Sequence, residues 1–479
     1  MKHVHFIGIA GKTMAPLAKM FKEMDWRVRG SDHTKTYPPI STYLQENKIN
    51  YNKGYSASNI VGRPDLVVVG RSALLVDPKN PEYLQAKKMG LKILSYPEVL
   101  RNYLIKPSSI VVAGTYGKTT ISGLLAWILE KAGFNPSFMI GGVPLNFPDG
   151  IRNTDSHWSV VEGDEPPAMK ETDPPKFMFY KPKYLLLTAC QWDHPEIFKT
   201  EKDYWEAFVK LVKLVPKDGL LVACLEGKNV KKIAKEAKCP VTWYSVKGTE
   251  AQKADYWVKD ILFGKNFTQF KIIVRKQWDV LLIKLPLLGW HNIQNVCGAV
   301  VLGLSLGIKP EVIQDAVRTF KGIRTRLEFV GKFGEVRVFW DFAQHPLKVK
   351  ETLAALRTRY KKEKIICVFD PHQSMLQTRE SLGWYQGCFT QADRVIVTKM
   401  SFPKAIPKGE RVTGREIVEA IKKTQSKVVY QPVDKKVMEL LIEKDKKVKK
   451  GKRGKVMVFM SSGGQRIPKM ITNLKSEYD

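Results

Sequence analysis

Cysteine is scarce in this chain: six in 479 residues, Cys190, Cys224, Cys239, Cys297, Cys367 and Cys388, with no close pair among them. That scatter excludes a disulfide framework and a paired-cysteine zinc site, and fits reduced packing residues. Long apolar runs are missing as well. No stretch approaches the roughly 20 apolar residues of a bilayer helix, which argues against membrane insertion. The opening residues, MKHVHFIGIAGKTM, enter a strand-like run with neither a signal-type apolar region nor an Arg- and Ser-rich transit segment, so a cytoplasmic location is expected. Internal repeats and low-complexity tracts are absent from the sequence.

Acidic residues are also in deficit. There are 79 Lys and Arg against 47 Asp and Glu, a formal net charge of +32. Such a field draws in anions without choosing among them. Nucleic acid is disfavoured as the anion, because the basic residues are spread along the chain and no RNA-binding signature with interleaved aromatics occurs. The densest basic run, KDKKVKKGKRGK from Lys444 to Lys455, reads as a solvated loop between a helix and a strand.

What is present is a globular composition, 44% hydrophobic and 10% aromatic, in a chain long enough for about three domains. From Val4 to about Leu104, short apolar runs (VHFIGIAG, WRVRGSD, DLVVVG, KILSY) alternate with amphipathic stretches, the mark of a parallel α/β unit. A second start at Ser109 reads as buried strand, glycine loop and amphipathic helix ending at Gly133. YLLLTACQWDH from Tyr184 gives another buried strand, and HNIQNVCGAVVLGLSLGI a helix. A third start follows Gly322, with VRVFWDFAQHP, KIICVFDPHQ, RVIVTKM and KVMVFMSSGG as four candidate strands. The expected architecture is α/β in three domains: a Rossmann-like domain over 1–106, a P-loop ATPase-like domain over 107–322 and a second Rossmann-like domain over 323–479, with boundaries uncertain by several residues.

The sharpest motif is Gly114-Thr-Tyr-Gly-Lys-Thr-Thr120, between the strand IVVAG and the helix ISGLLAWILEKAG. Gly114 and Gly117 let backbone amides approach phosphate oxygens, and the following helix turns its positive end towards them. Lys118 can pair with β- and γ-phosphates, and Thr119 offers a hydroxyl to a phosphate-bound Mg²⁺. Thr115 and Thr120 complete the loop. Two residues separate the glycines, fewer than in the standard P-loop. A bare glycine turn with an incidental lysine is the alternative, and the co-occurrence of strand, glycines, lysine, hydroxyls and helix argues against it.

At this loop the sequence resembles the Mur ligase family, whose nucleotide loop reads G-T-x-G-K-[TS]-[TS]. VVEGDE (Val160 to Glu165), QWDHPEIF, GWHNIQN, RTRLEFVG and DFAQHP are similar to further blocks of that family, so the resemblance runs essentially end to end. Three stretches, GIAGKTM with GSDHTKTYPPISTYL, FMIGGVPLNF, and FMSSGGQRIPKM, resemble the members that take a murein tripeptide more than those that add L-alanine. The resemblance implies an ATP- and Mg²⁺-dependent ligase, monomeric or dimeric, that joins an L-Ala-γ-D-Glu-diamino acid peptide to UDP-N-acetylmuramate through an acyl phosphate. Three other readings stay open: ligation of L-alanine to the same sugar, a Mur-like ligase acting on a non-murein polymer, and a degenerate scaffold that binds ATP or nucleic acid without turnover.

Residue by residue, the resemblance implies that Gly8, Gly11 and Met14 hold the UDP diphosphate, with Asp32 ending the second strand where such folds address sugar or base. An ordinary ligand-free turn is the alternative. Glu162 matches a Mg²⁺-binding glutamate, Glu165 would orient it or a metal-bound water, and His194 matches a histidine at the second metal or the reacting phosphoryl group. An acidic surface turn is the plainer reading of the two glutamates. Asn292 and Asn295, three apart on one helical face, match residues that address adenine, with helix capping as the alternative. Arg326, Asp341 and His345 match groups directed to phosphates and ribose, with surface ion pairing as the rival. Arg466, beside Gln465, is expected to bind a peptide carboxylate in bidentate fashion, or else to face water. There are departures from the family. Gln191 stands where an acid is common, and PPAMKETDPPKF lacks the expected lysine near Asp173, where relatives carry a carbamylated, metal-bridging lysine. Lys170, Lys176 or Asp173 itself are the candidate substitutes.

Overall fold

The computed structural model describes residues 1–170, 172–193, 197–247, 251–264, 266–275, 279–372, 374–400, 406–442, 454–461 and 466–478. Contacts divide the chain into two compact units. One comprises Met1–Leu262, Gln269–Pro286 and His291–Lys321, the other Phe263–Thr268, Leu287–Trp290 and Gly322–Asp479.

The first unit carries two sheets. Strands β1 (His3–Ile7), β2 (Arg27–Asp32), β3 (Asn52–Lys53), β4 (Leu66–Val69) and β5 (Ile93–Ser95) form a parallel sheet in the order β3-β2-β1-β4-β5. Strands β1 and β4 are buried almost throughout. That is why they read as continuous apolar runs, as strands covered on both faces do. The second sheet contains β6 (Ser108–Ala113), β7 (Ser137–Met139), β8 (Ile151–Arg152), β9 (Trp158–Gly163), β10 (Tyr184–Leu187), β11 (Leu220–Cys224), β12 (Val241–Ser245), β13 (Tyr256–Phe263), β14 (Thr268–Val274) and β15 (Asp279–Leu285). Its order is β15-β14-β13-β12-β11-β10-β6-β9-β7-β8, so β6 lies between two strands that follow it in sequence. A continuous apolar core joins residues of both sheets, from Val4 and Phe21 to Val111, Leu185 and Phe208.

The helix Lys118–Lys131 forms because Ile121, Leu124, Leu125, Ile128 and Leu129 recur at helical spacing and are all buried. It stops where Gly133 adopts φ +79°, with Gly133 N donating to Glu130 O and Phe134 N to Leu129 O, a Schellman closure.

The second unit holds β16 (Glu328–Phe333), β17 (Val336–Asp341), β18 (Lys364–Phe369), β19 (Arg394–Val397), β20 (Val428–Tyr430) and β21 (Lys455–Met460), ordered β16-β17-β21-β18-β19-β20. All neighbours are parallel except β16 and β17. The four strands expected from the sequence are its centre, and β16 and β20 are additions at the edges. One face packs the helices Pro346–Arg359 and Gly414–Lys422, the other Asp434–Ile442 and Arg466–Tyr478. All six cysteines are free and buried, in keeping with packing roles. Among the described residues no helix is long and apolar enough to cross a membrane.

Candidate active site at the glycine loop

The loop leaves the carboxyl end of β6, where an open α/β sheet presents its ligand site. Gly114 has φ +123° and Gly117 φ +82°, both in the region closed to most side chains. Space forbids a side chain as firmly as the dihedrals do. A β-carbon at Gly114 would lie 2.3 Å from Thr188 Oγ1, and one at Gly117 2.2 Å from Asn295 Oδ1. Thr188, at the end of β10, donates to Tyr116 O at 2.7 Å, while Thr115 Oγ1 lies 2.8 Å from Gln191 O and 3.2 Å from the Tyr204 hydroxyl. The loop is thereby fixed from the neighbouring strand.

At the start of the helix, Lys118 Nζ donates to Gly114 O at 2.7 Å and to both carboxylate oxygens of Glu165 at 2.7 and 3.0 Å. The Glu165 side chain is buried, 2% exposed, and that of Lys118 is largely covered, 14% exposed. Burial works against the charge on Lys118, but the Glu165 carboxylate outweighs it and holds the ammonium above the ordinary lysine range. Burial raises Glu165, and Lys118 only partly offsets that. Thr119 Oγ1 donates to Glu162 Oε1 at 2.7 Å, and Gly141 N donates to Glu162 Oε2 at 2.7 Å. Two glutamates, a threonine hydroxyl and an ammonium therefore converge on one glycine loop. A hydroxyl and a carboxylate side by side are the hard oxygen donors that Mg²⁺ prefers, so this set fits that ion. Among the described residues no group of three or more His, Cys, Asp or Glu could hold a metal by itself. His194, expected at a second metal, lies outside the described residues.

Thr120 follows in the helix's first turn. Asn295 donates through Nδ2 to Asn292 Oδ1 at 3.2 Å, and its own Oδ1 faces Gly117. The two amides thus brace one another against the loop; Asn292 is not a helix cap. Of the substitutes considered for the missing lysine, Lys176 and Asp173 are engaged elsewhere and Lys170 is on the surface. Lys176 pairs with Asp164 at 2.7 Å, Lys170 is exposed, and Asp173 Oδ2 accepts from the Met169 and Lys170 amides. No sequence signal pointed to Thr188, which falls inside the apolar run from Tyr184, or to Tyr204, which the structure places in the helix Glu201–Lys213.

The turn after β1 belongs to the same unit. Gly8 N and Ile9 N donate to Ser31 O at 2.9 and 3.0 Å, and Asp32 accepts from Ala10 N at 2.6 Å and His33 N at 2.7 Å. Asp32 therefore shapes the turn. Gly11 lies beside Met14, whose side chain is 4% exposed and part of the core, so Met14 packs the turn from beneath and presents no side chain to a ligand.

In the second unit, buried Asp341 accepts from Leu327 N at 2.7 Å and Ala343 N at 2.5 Å. Burial pushes its carboxyl up to about 6, against the pull of those amides and of Arg326. Arg326 itself lies 4.8 Å from the Phe342 ring centre. His345 accepts from Leu347 N at 3.3 Å and caps the helix Pro346–Arg359. Arg466 is partly exposed and already engaged by groups of its own chain. It pairs with Asp434, with Nε to Oδ1 at 2.7 Å, and donates to Lys399 O at 2.8 Å.

Comparison with known proteins accords with this geometry. The family model described as "Mur ligase family, catalytic domain" matches residues 3–106, "Mur ligase middle domain" 112–303, and "Mur ligase, glutamate ligase domain" 325–463. The chain is 30% identical over 398 residues to UDP-N-acetylmuramate–L-alanine ligase of Pelagibacter ubique, covering 82% of each. It is 32% identical over 386 residues to the UDP-N-acetylmuramate–L-alanyl-gamma-D-glutamyl-meso-2,6-diaminoheptandioate ligase of Escherichia coli, covering 78% of this chain and 80% of that one. Among solved structures, UDP-N-acetylmuramate-alanine ligase from Thermotoga maritima superposes with a TM-score of 0.77 at 22% identity over the whole of both chains. A murein peptide ligase from Psychrobacter arcticus gives 0.69 at 24% identity over 99% of each, and these two likenesses speak for the fold. With three family models following one another along the sequence and relatives at this identity over most of it, the chain belongs to the Mur ligase family.

Proposed function

We propose that this ATP-dependent carbon–nitrogen ligase activates the lactyl carboxylate of UDP-N-acetylmuramate and joins it to a preformed L-Ala-γ-D-Glu-diamino acid peptide, a cytoplasmic step of peptidoglycan recycling. The observation that carries the chemistry is the convergence of Lys118, Thr119, Glu162 and Glu165 on the glycine loop. A carboxylate is a poor electrophile. Transfer of the γ-phosphoryl group of ATP to one of its oxygens gives an acyl phosphate and ADP. The amine then attacks the acyl carbon, the carbon–oxygen bond to phosphate breaks, and the nitrogen gives up a proton as the amide forms. Lys118 neutralises the transferring group, which requires it to exchange Glu165 for phosphate oxygens. Thr119 and Glu162 would hold Mg²⁺, which shields the charge that otherwise repels the incoming carboxylate. Asn292 and Asn295 address the nucleotide from the helix against the loop.

The peptide as amine donor is supported by the three stretches that resemble tripeptide-accepting members. Ligation of L-alanine is the second reading, supported by the relative from Pelagibacter ubique. Phosphate release by the purified protein with ATP, UDP-N-acetylmuramate and either amine separates them. Tripeptide is expected to give the higher kcat/KM, and a preference for free L-alanine overturns this choice of donor.

A further inference from the structure

We propose that Arg71 is the side chain that grips the diphosphate of the nucleotide-sugar substrate, an inference that rests on the UDP-sugar reading above. The parallel sheet β3-β2-β1-β4-β5 reverses its strand order between β1 and β4, the point at which open α/β sheets bind ligands at their carboxyl edge. Two segments leave that point, the turn from Gly8 and the pair Gly70-Arg71, and they touch. Gly70 N donates to Ile7 O at 2.8 Å, and a β-carbon at Gly8 would lie 3.4 Å from Ala73 Cβ and 3.9 Å from Gly70 Cα. Arg71 therefore starts alongside the turn.

Its side chain is half-buried, and its Nε is fully buried with no hydrogen-bond partner. Buried polar groups in folded proteins are nearly always satisfied, and an orphaned donor on a charged group asks for an acceptor from outside the chain. Asp32, the acid of the same turn, is committed to the amides of Ala10 and His33. The helix that Arg71 begins, Arg71–Val76, has six residues, too few for its own dipole to hold an anion. The cation itself is what the site offers. A guanidinium fork matches two phosphate oxygens at once, which a lysine cannot do. A diphosphate lying beside the Gly8 turn would depend on this fork, because the amides of Gly8, Ile9, Ala10 and Gly11 already donate within the chain.

Isothermal titration of the full chain with UDP, UDP-N-acetylmuramate and a non-hydrolysable ATP analogue tests the assignment. For Arg71→Ala the Kd for UDP and for the UDP-sugar is expected to rise at least about tenfold, while the ATP-analogue Kd moves less than about twofold. Arg71→Lys, which keeps the charge and loses the fork, should fall between wild type and Ala. If Arg71→Ala binds the UDP compounds as wild type does, Arg71 does not grip the diphosphate. A parallel loss for the ATP analogue with a lowered melting temperature likewise overturns the assignment, in favour of a purely structural role. Failure of the wild-type chain to bind any UDP compound while it binds the ATP analogue marks the UDP-sugar reading itself as wrong.

Discussion

Lys118 was legible from motif spacing, but the partner that holds it was not, because Glu165 lies 47 residues away and only the parallel pairing of β6 with β9 brings the two ends together. That partner changes what a substitution should do. Removing the ammonium costs phosphoryl-transfer stabilisation, so Lys118→Ala should lower phosphate release by about 10³-fold or more. It also strands a buried carboxylate, at a cost to stability on the order of 3–5 kcal/mol, so the variant should melt earlier than wild type. Glu165 is already raised by burial, and without Lys118 it rises further. A carboxyl raised in the folded state destabilises as pH climbs above its unfolded value, so the melting deficit of Lys118→Ala should be large at pH 8 and shrink towards pH 5. An equal deficit at both pH values would show that Glu165 is not the cause. Asp341 follows the same sign. With a folded value of about 6 against an ordinary 3.8, it loses its stabilising effect as pH rises from about 4 through 6. That loss amounts to roughly 3 kcal/mol. Asp341→Asn cannot titrate, so urea unfolding should show the wild-type advantage over Asn shrinking across that window. Arg71 illustrates the opposite limit of legibility: VVVGRSALL contains no motif, and only the contact between two loops gives the arginine a place.

Whole elements were read where burial on both faces produced continuous apolar runs, as in β4 (LVVV), β6 (SSIVVA) and β18 (KIICVF). They were missed where strands were two or three residues long, as in β3, β8 and β20, or half-exposed. In β15, Val280, Leu282 and Lys284 face solvent while Leu281, Ile283 and Leu285 are buried; the period-2 signal was present, and the mixture of charged and apolar outward residues obscured it. The helices Asp434–Ile442 and Arg466–Tyr478 carry a relation that sequence could not give, the ion pair that joins their first residues. Together with Lys399, Met438 and Lys469 they line a cleft of about 1050 Å³. If Arg466 receives the peptide carboxylate, that carboxylate must displace Asp434, an internal competitor of the same chemistry. Arg466→Ala should then raise the KM for tripeptide, and Asp434→Asn should lower it several-fold, with the KM for ATP unmoved in both. Steady-state kinetics decide this, and an unchanged tripeptide KM in both variants would remove Arg466 from the donor site.

For the molecule as a whole, the net charge of +32 was plain in the sequence, but its use depends on how the acids are spent. Several are tied to lysines or arginines, among them Glu165 to Lys118, Asp164 to Lys176 and Asp434 to Arg466. The excess of bases therefore sets the far field. ATP and a UDP-sugar both carry negative charge, and a positive field raises their encounter rate by roughly 10- to 1000-fold at low salt. Screening shortens that reach, from a Debye length of about 10 Å at 0.1 M to about 3 Å at 1 M. The kcat/KM for the UDP-sugar should accordingly fall by roughly tenfold between about 0.05 and 0.5 M KCl, mostly through KM, because the phosphoryl transfer itself occurs among buried groups that salt screens little. The field is a sum over many side chains. Arg71→Ala, which removes one charge of 32, should therefore lower affinity without changing the slope of log(kcat/KM) against log salt. RNA, an anion with no counterpart to the diphosphate and sugar, should bind weakly at physiological salt and should not inhibit ligation. A salt-independent kcat/KM would show that the charge excess plays no part in substrate capture, and tight RNA binding that blocks turnover would show that the field serves a polyanion instead.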